Sequence, residues 1–183
     1  MLISAIFMNR RNFLIKTAIF GSALLGGVYY WPNRWRYIVI HHSAGSYGNI
    51  EFLQRVHKER TKGTDLVEAI AYHYVIGNGN GMNMGEVASD KRMKYNLWGS
   101  HVSARNMDRN LRGIGICLIG NFELRPIPTK QYAALVQLTK QLMKEYHIPP
   151  QNVVGHGKLT GEYTLCPGKY FPIQQFLNDI AAV

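Results

Sequence analysis

Acidic residues are scarce in this sequence: 11 Asp and Glu stand against 21 Lys and Arg, so the formal net charge is +10. Residues 1–36 hold five of the cations and no acid, which leaves a net charge of +5 on the remaining residues. A mildly cationic body suits an anionic partner, but Coulomb attraction alone does not distinguish nucleic acid, acidic lipid and cell wall. The sequence has no nucleic-acid recognition motif and no interleaving of aromatic and basic residues, so we expect no nucleic-acid partner.

Internal repeats, low-complexity linkers and the length needed for two domains are also lacking. With 183 residues, 46% of them hydrophobic, the chain can form one packed domain. It has two cysteines, Cys117 and Cys166, which could form a disulfide, stay as free thiols or bind a metal. Cys117 lies in the apolar run 114–119, which is typical of a small buried hydrophobic residue. Cys166 precedes Pro167 and Gly168 in a loop and needs another explanation.

Charge is absent from residues 17–31, but this stretch of fifteen is shorter than the about twenty apolar residues that span a membrane comfortably. Two adjacent arginines, Arg10 and Arg11, stand shortly before it in the pattern of a twin-arginine export signal. We therefore predict an export signal over residues 1–35, either cleaved or retained as an inner-membrane anchor, and a folded domain over residues 36–183. The expected location is periplasmic or exported, with membrane contact only through the N-terminal segment.

Short apolar strands alternate with helices along the rest of the chain. Strands are predicted at residues 37–40, 72–76, 86–89, 114–119 and 153–154. Helices are predicted from a cap at Asn49 to about Lys62, from a cap at Thr129 to Pro149, and onward from Pro172. This alternation indicates an α/β fold with a central mixed sheet flanked by helices.

Two histidines occupy positions where a predicted strand ends, His41 after the first strand and His156 after the last. Ligand-holding groups collect at strand ends in open α/β sheets, so the two imidazoles could share one edge. Cys166, ten residues beyond His156, offers a third soft donor from a loop. Each residue alone is more typical of a packing role, but three protein ligands with one open position are the arrangement of a catalytic zinc. We therefore predict one Zn²⁺ ion and a hydrolytic reaction.

Six segments of the sequence together resemble a known family. They are Ile40–Ser43, Tyr72–Ile76, Gly99–His101, Gly113–Leu118, Gly155–His156 and Thr164–Gly168. Through them, residues 36–176 resemble the zinc amidases that include bacterial N-acetylmuramoyl-L-alanine amidases, phage lysozyme-type amidases and animal peptidoglycan recognition proteins. The order and spacing of several motifs make this resemblance specific.

The resemblance implies a single domain of the amidase and peptidoglycan recognition protein type. It also implies cleavage of the amide bond between the lactyl group of N-acetylmuramic acid and L-alanine of the stem peptide. The zinc ligands of the family fall on His41, His156 and Cys166, the set that the strand ends already indicated. Its catalytic tyrosine falls on Tyr72, which would polarise the scissile carbonyl, and Thr164 falls where a residue would position the water.

Three further residues are expected to contact the substrate. The family residue that matches His101 lines the substrate groove, and Arg112, near a strand edge, could bind a carboxylate of the stem peptide. His42 follows an expected ligand and would point to the opposite face of an extended segment, so a supporting role competes with substrate contact. No carboxylate stands at a matching position to protonate the leaving amine.

The expected partners are peptidoglycan and its muropeptides, and the protein is expected to be a monomer. A cytoplasmic branch of the family, which recycles muropeptides, has glutamate at the position of Cys117 and aspartate as its third ligand, so this sequence resembles the other branch. Two alternatives remain open. One is a peptidoglycan-binding module without hydrolysis, although recognition proteins of that kind typically lack the ligand at Cys166. The other is an amidase toxin that acts on the wall of a competitor.

Overall fold

A computed structural model describes residue 31, residues 33–64 and residues 67–182. The chain divides into two units, residues 1–34 and residues 35–183, and the sheet and helices described here belong to the second. The predicted export segment, its possible role as an anchor and its cleavage lie outside the described residues and stay predictions. Within the described ranges, none of the helices has both the length and the apolar character that crossing a membrane requires.

Five strands form one mixed sheet in the order β3-β2-β4-β1-β5. They are β1 (Tyr37–His42), β2 (Tyr74–Ile76), β3 (Val87–Ser89), β4 (Gly113–Leu118) and β5 (Val153–Gly155). The strands β1, β2, β4 and β5 run parallel, whereas β3 is antiparallel to β2. The predicted central mixed sheet is confirmed, and the carboxyl ends of its four parallel strands meet at one edge.

Five α-helices surround the sheet in the described part of the chain. They are α1 (Ile50–Arg60), α2 (Lys91–Lys94), α3 (Met107–Arg112), α4 (Thr129–Tyr146) and α5 (Ile173–Ala181). Asn49 caps α1 as predicted, because its side chain accepts the amide of Phe52 at 2.8 Å. The predicted cap of α4 is wrong by one residue: Pro128 holds the cap position and Thr129 is the first helical residue. The short helices α2 and α3 were not predicted, because a helix of so few residues is too short to show a recognisable apolar stripe.

One face of the sheet holds the main hydrophobic core. Alternating residues of the two central strands point to this face, namely Ile38 and Ile40 of β1 with Ile114, Ile116 and Leu118 of β4. They pack against α4 and α5 through Leu135, Leu142, Phe176 and Ile180, all buried. Full burial of one such side chain stabilises a fold by about 1.5–3 kcal/mol, so this face supplies much of the stability of the domain.

The residues of β1 and β4 that alternate with these core residues point to the other face of the sheet, and several of them are small or polar. The register pairs Val39 with Gly115 and His41 with Cys117 across the two central strands. A smaller cluster around Leu53 of α1 and Val75 of β2 covers one part of this face. Because glycine and cysteine are small, this face has room for polar side chains from the surrounding loops.

Candidate metal centre

The three residues predicted as metal ligands lie together on this second face. The donor atoms of His41, His156 and Cys166 all lie within 4.8 Å of one another. Nδ1 of His41 is 3.8 Å from Sγ of Cys166, although the two residues are 125 positions apart in the chain. Adjacent parallel pairing of β1 and β5 brings the two histidines to one edge, where their ring centroids are 4.6 Å apart.

This donor set fits a zinc ion. Bonds of about 2.0–2.3 Å in a tetrahedral site place neighbouring donors about 3.3–3.6 Å apart. The separation of 3.8 Å between His41 and Cys166 is close to that value, and even the limit of 4.8 Å for the set requires only small side-chain movements. Two imidazoles and one thiolate are ligands that zinc prefers, and three of them leave the fourth position to water or substrate. Binding of the ion stays a prediction.

His41 is oriented by a relay of hydrogen bonds. Its Nε2 lies 3.2 Å from Nδ1 of His101, and Nε2 of His101 lies 3.4 Å from the carbonyl oxygen of Gly113. A carbonyl oxygen can only accept a hydrogen bond, so His101 carries its proton on Nε2. Its Nδ1 therefore accepts a hydrogen bond from the protonated Nε2 of His41. This relay leaves Nδ1 of His41, the atom that faces Cys166, with its lone pair.

Both rings of the relay are neutral at physiological pH. Burial lowers the pKa of His41 well below its usual value, and burial lowers the pKa of His101 to about 3. Neutral imidazole is the form that binds a metal, so the protein environment prepares His41 as a ligand.

Two glycines create the space that His101 occupies. A Cβ atom at Gly99 would lie 2.3 Å from Cδ2 of His101, and one at Gly115 would lie 2.7 Å from the same atom. Gly115 of β4 and Gly99, which lies in the loop after α2, therefore have a steric function: they admit the ring that supports His41.

We expect the substitution Gly115→Ala to destabilise the protein by about 1–3 kcal/mol, because the added methyl group overlaps the buried His101 ring and neighbouring atoms must move. Urea unfolding monitored by circular dichroism measures the change. The matched control is Gly45→Ala, since a Cβ at that position meets no neighbouring atom closer than 3.7 Å. A Gly115→Ala protein as stable as the control would contradict the steric role of this glycine.

Cys166 is held in place by its own loop. Its Sγ accepts the amide of His42 at 3.3 Å, and its amide donates to Oγ1 of Thr164 at 3.2 Å. Burial raises the pKa of the Cys166 thiol to about 12, so the thiolate requires a nearby cation. Both cysteines are free thiols, which excludes the disulfide alternative for this structure.

The sequence predicted Tyr72 as the first residue of a strand, but this was wrong: Tyr72 lies in the loop before β2. Its ring centroid is 5.0 Å from that of His41, and its hydroxyl lies near the Cys117 thiol. Burial, followed by the proximity of Cys117 and Cys166, raises the pKa of Tyr72 well above its usual value. The residue therefore keeps its proton at neutral pH and can donate a hydrogen bond.

A cavity of about 410 Å³ opens over the three donors. Tyr72 and Thr164 line it on the side of the ligands, and Val56, His57 and Arg60 line it from α1. Cavities of this size accommodate small-molecule groups or a short peptide segment. The three predicted ligands therefore face a substrate-sized space.

The residues predicted to contact substrate lie in three different settings. His101 lines the cavity but is only 6% exposed, and both ring nitrogens serve the relay to His41. His42 also lines the cavity, while its ring accepts the amide of Phe122 at 3.1 Å. Arg112 is outside the set of described residues that line the cavity, and its guanidinium pairs with Asp108. The substrate roles of all three stay predictions.

Two residues of the site escaped the sequence analysis. Arg60, at the end of α1, is a cavity-lining cation three positions after His57. Glu162 accepts a hydrogen bond from His156 at 3.2 Å. Its position between His156 and Cys166 was a usable signal, but the sequence does not reveal that its carboxylate folds back onto the His156 ring.

Comparison with known proteins identifies the family of this chain. Residues 31–169 match the family described as N-acetylmuramoyl-L-alanine amidase. The chain is 40% identical over 54 residues to N-acetylmuramoyl-L-alanine amidase AmiD of Escherichia coli K12, across 30% of this chain and 20% of that protein. It is 35% identical over 68 residues to 1,6-anhydro-N-acetylmuramyl-L-alanine amidase AmpD of Haemophilus influenzae, across 37% of this chain and 36% of that protein. The matched segments thus span well under half the length of these curated relatives.

Solved structures share the fold. The N-acetylmuramoyl-L-alanine amidase LysC from Clostridium intestinale URNW is similar with a TM-score of 0.68 at 24% identity, covering 84% of this chain and 89% of that chain. Drosophila PGRP-LB, solved as a mutant in complex with tracheal cytotoxin, is similar with a TM-score of 0.57 at 20% identity, covering 76% and 79%. With its family match over most of its length, this chain belongs to the N-acetylmuramoyl-L-alanine amidase family.

Proposed function

We propose that the protein hydrolyses the amide bond between the lactyl group of N-acetylmuramic acid and L-alanine of the peptidoglycan stem peptide. One Zn²⁺ ion would be held by His41, His156 and Cys166. The observation that carries the proposal is the convergence of these three donors beneath an open cavity that also contains Tyr72. A structural zinc is usually closed by four protein ligands, so this incomplete set favours catalysis.

The metal, when bound, supplies Lewis-acid chemistry that activates water for attack at neutral pH. The protonated hydroxyl of Tyr72 then donates to the carbonyl oxygen of the scissile amide as negative charge develops there. Thr164 accepts the Cys166 amide at Oγ1 and lines the cavity, so its own O–H would donate to the attacking water. The two residues thus have separate tasks, one at the carbonyl and one at the water.

The rest of the cavity suits a peptide with carboxylate groups. Arg60 lines the wall formed by α1, where it can pair with a carboxylate of the stem peptide. Val56 on the same wall can contact an apolar side chain such as that of L-alanine. The net charge of +5 outside residues 1–36 also favours approach to an anionic polymer. These features support muropeptides as the substrate class.

The proposed place of action is the periplasm, reached by the twin-arginine route. The arginine pair Arg10 and Arg11 supports this route, and an exporter of folded proteins allows the metal to bind Cys166 before export. Fractionation of cells that express the full chain tests the location. Recovery of the protein in the cytoplasm alone would contradict it.

Digestion of purified cell wall decides between hydrolysis and binding. The protein is incubated with sacculi as prepared, with a chelator, and with the chelator followed by zinc, and the soluble products are analysed by mass spectrometry. We expect stem peptides that begin with a free L-alanine amine, lost with the chelator and restored by zinc. Muropeptides retained intact on the protein would instead indicate a binding module. Activity that survives complete metal removal would contradict the zinc mechanism.

A further inference from the structure

Glu162 lies next to the candidate metal centre, and its side chain is only 7% exposed. Its Oε1 accepts three hydrogen bonds, from the amide of Ser103 at 3.0 Å, the hydroxyl of Ser103 at 2.7 Å and the side-chain amide of Asn106 at 2.9 Å. Its Oε2 faces Nε2 of His156 at 3.2 Å. One oxygen therefore anchors the carboxylate, and the other is aimed at a metal ligand.

The contact determines which nitrogen of His156 can bind a metal. An ionised carboxylate only accepts hydrogen bonds, so the proton of His156 lies on Nε2. The lone pair is then on Nδ1, and the ring is held with its centroid 4.6 Å from that of His41. A partner of this kind also raises the basicity of the imidazole as a ligand.

The two histidine ligands are supported by partners of different charge. His41 is oriented by the neutral ring of His101 and a backbone carbonyl, whereas His156 is oriented by an anion. A zinc ion with two neutral imidazoles and one thiolate carries a net charge of +1. The charge of Glu162 would balance it from behind His156, on the side of the ring away from the donor atom.

The same carboxylate ties two loops together. Asn106 also donates to the carbonyl oxygen of Thr160 at 3.1 Å, and Arg105 donates to that of Gly161 at 3.4 Å. These bonds hold residues 160–162 against the turn that contains Ser103. The chain then continues directly to Thr164 and Cys166, so the anchor lies immediately before the third ligand.

We infer that Glu162 is a positioning residue of the metal centre, which sets the tautomer and orientation of His156 and tightens zinc binding through its charge. The inference rests on the metal site of the proposed function. Loss of a partner behind a metal-bound histidine typically weakens metal binding about 10- to 100-fold. Glu162 does not line the cavity, so its effect is on the metal and not on the substrate.

The test measures zinc affinity of the full chain by competition with a chromophoric chelator. Glu162→Gln keeps the shape of the side chain and removes its charge, and we expect the zinc dissociation constant to rise about 10-fold. Glu162→Ala also removes the hydrogen bond, and the rise should approach about 100-fold. At saturating zinc, kcat should change much less than the affinity does. The absorption spectrum of the cobalt-substituted protein provides a second readout, because a reoriented His156 changes the coordination geometry.

Asn106→Ala is the matched control, since it removes bonds to Glu162 and Thr160 but leaves the contact between Glu162 and His156. We expect it to lower the melting temperature and to leave the zinc dissociation constant close to that of the wild type. Equal zinc affinity in Glu162→Gln and the wild type would overturn the inference while the proposed function stands. Weakening of equal size in Asn106→Ala would overturn it too, because the loop anchor would then explain the effect. A wild-type protein that binds no zinc would remove the metal site itself.

Discussion

Replacement of Cys166 by serine is expected to abolish cell-wall hydrolysis, with a fall of at least about 10³-fold in rate. A serine hydroxyl is a poor zinc ligand at neutral pH, and its shorter side chain reaches less far toward Nδ1 of His41, which is 3.8 Å from the cysteine sulfur. The two histidines alone form an incomplete site. Without the metal, attack would depend on ordinary water, which is far less acidic than water bound to zinc in catalytic sites, whose pKa is about 7.

Metal analysis of the purified Cys166→Ser variant measures its loss of zinc, and mass spectrometry of digested sacculi measures its loss of hydrolysis. Leu165→Ser is the matched control, because this neighbour is 74% exposed and lies outside the set of described residues that line the cavity. The control should retain zinc and activity. A Cys166→Ser protein that kept both would show that the sulfur is not a ligand.

The second large effect is expected from Tyr72→Phe, which should lower kcat about 10²- to 10³-fold and leave the zinc content unchanged. The substitution removes one hydroxyl that can donate to the developing charge on the scissile carbonyl. Because burial raises the pKa of Tyr72 well above its usual value, this donor is present throughout the neutral range. The effect should therefore appear in kcat at every pH at which the wild type is active.

Tyr74→Phe is the control for the Tyr72 variant. Tyr74 is in the same segment, but its ring packs against the main core on the opposite side of the sheet. Steady-state kinetics on a soluble muropeptide compares the two variants, and melting curves show whether either substitution also changes stability. An unchanged kcat in Tyr72→Phe would remove this residue from the mechanism.

The two faces of the sheet differ in function: one holds the main hydrophobic core and the other holds the candidate metal centre. On one face, isoleucine and leucine side chains of β1 and β4 are fully buried against α4 and α5. On the other face, the same two strands present His41, Cys117 and small glycines. Since successive residues of a strand point in opposite directions, one short sequence such as Ile40–His41 contributes to both. A substitution on the first face is therefore expected to act on stability alone, whereas one on the second face can also affect the candidate metal centre.

Local patterns made most of the sheet predictable. The apolar runs that became β1 and β4 are short and rich in β-branched residues, and their ends marked His41 and, after β5, His156. Asn49 indicated the start of α1 correctly, because a capping side chain accepts a hydrogen bond from an amide only three residues away along the chain. The strand that ends at Ile76 was predicted two residues too long. A hydrophobic pattern does not reveal that Tyr72 leaves the strand and packs against the ring of His41.

By itself, the sequence determined the identity of the strands, the order of the motifs and the three residues that could bind a metal, since all of these depend on neighbours along the chain. The tertiary structure decided which side chains support them. His101 reaches His41 across 60 positions, and Glu162 is anchored by Ser103 across 59. It also placed Arg60, and not Arg112, at the cavity. Contacts of this kind depend on how strands and loops pack, and packing is a property of the folded chain as a whole.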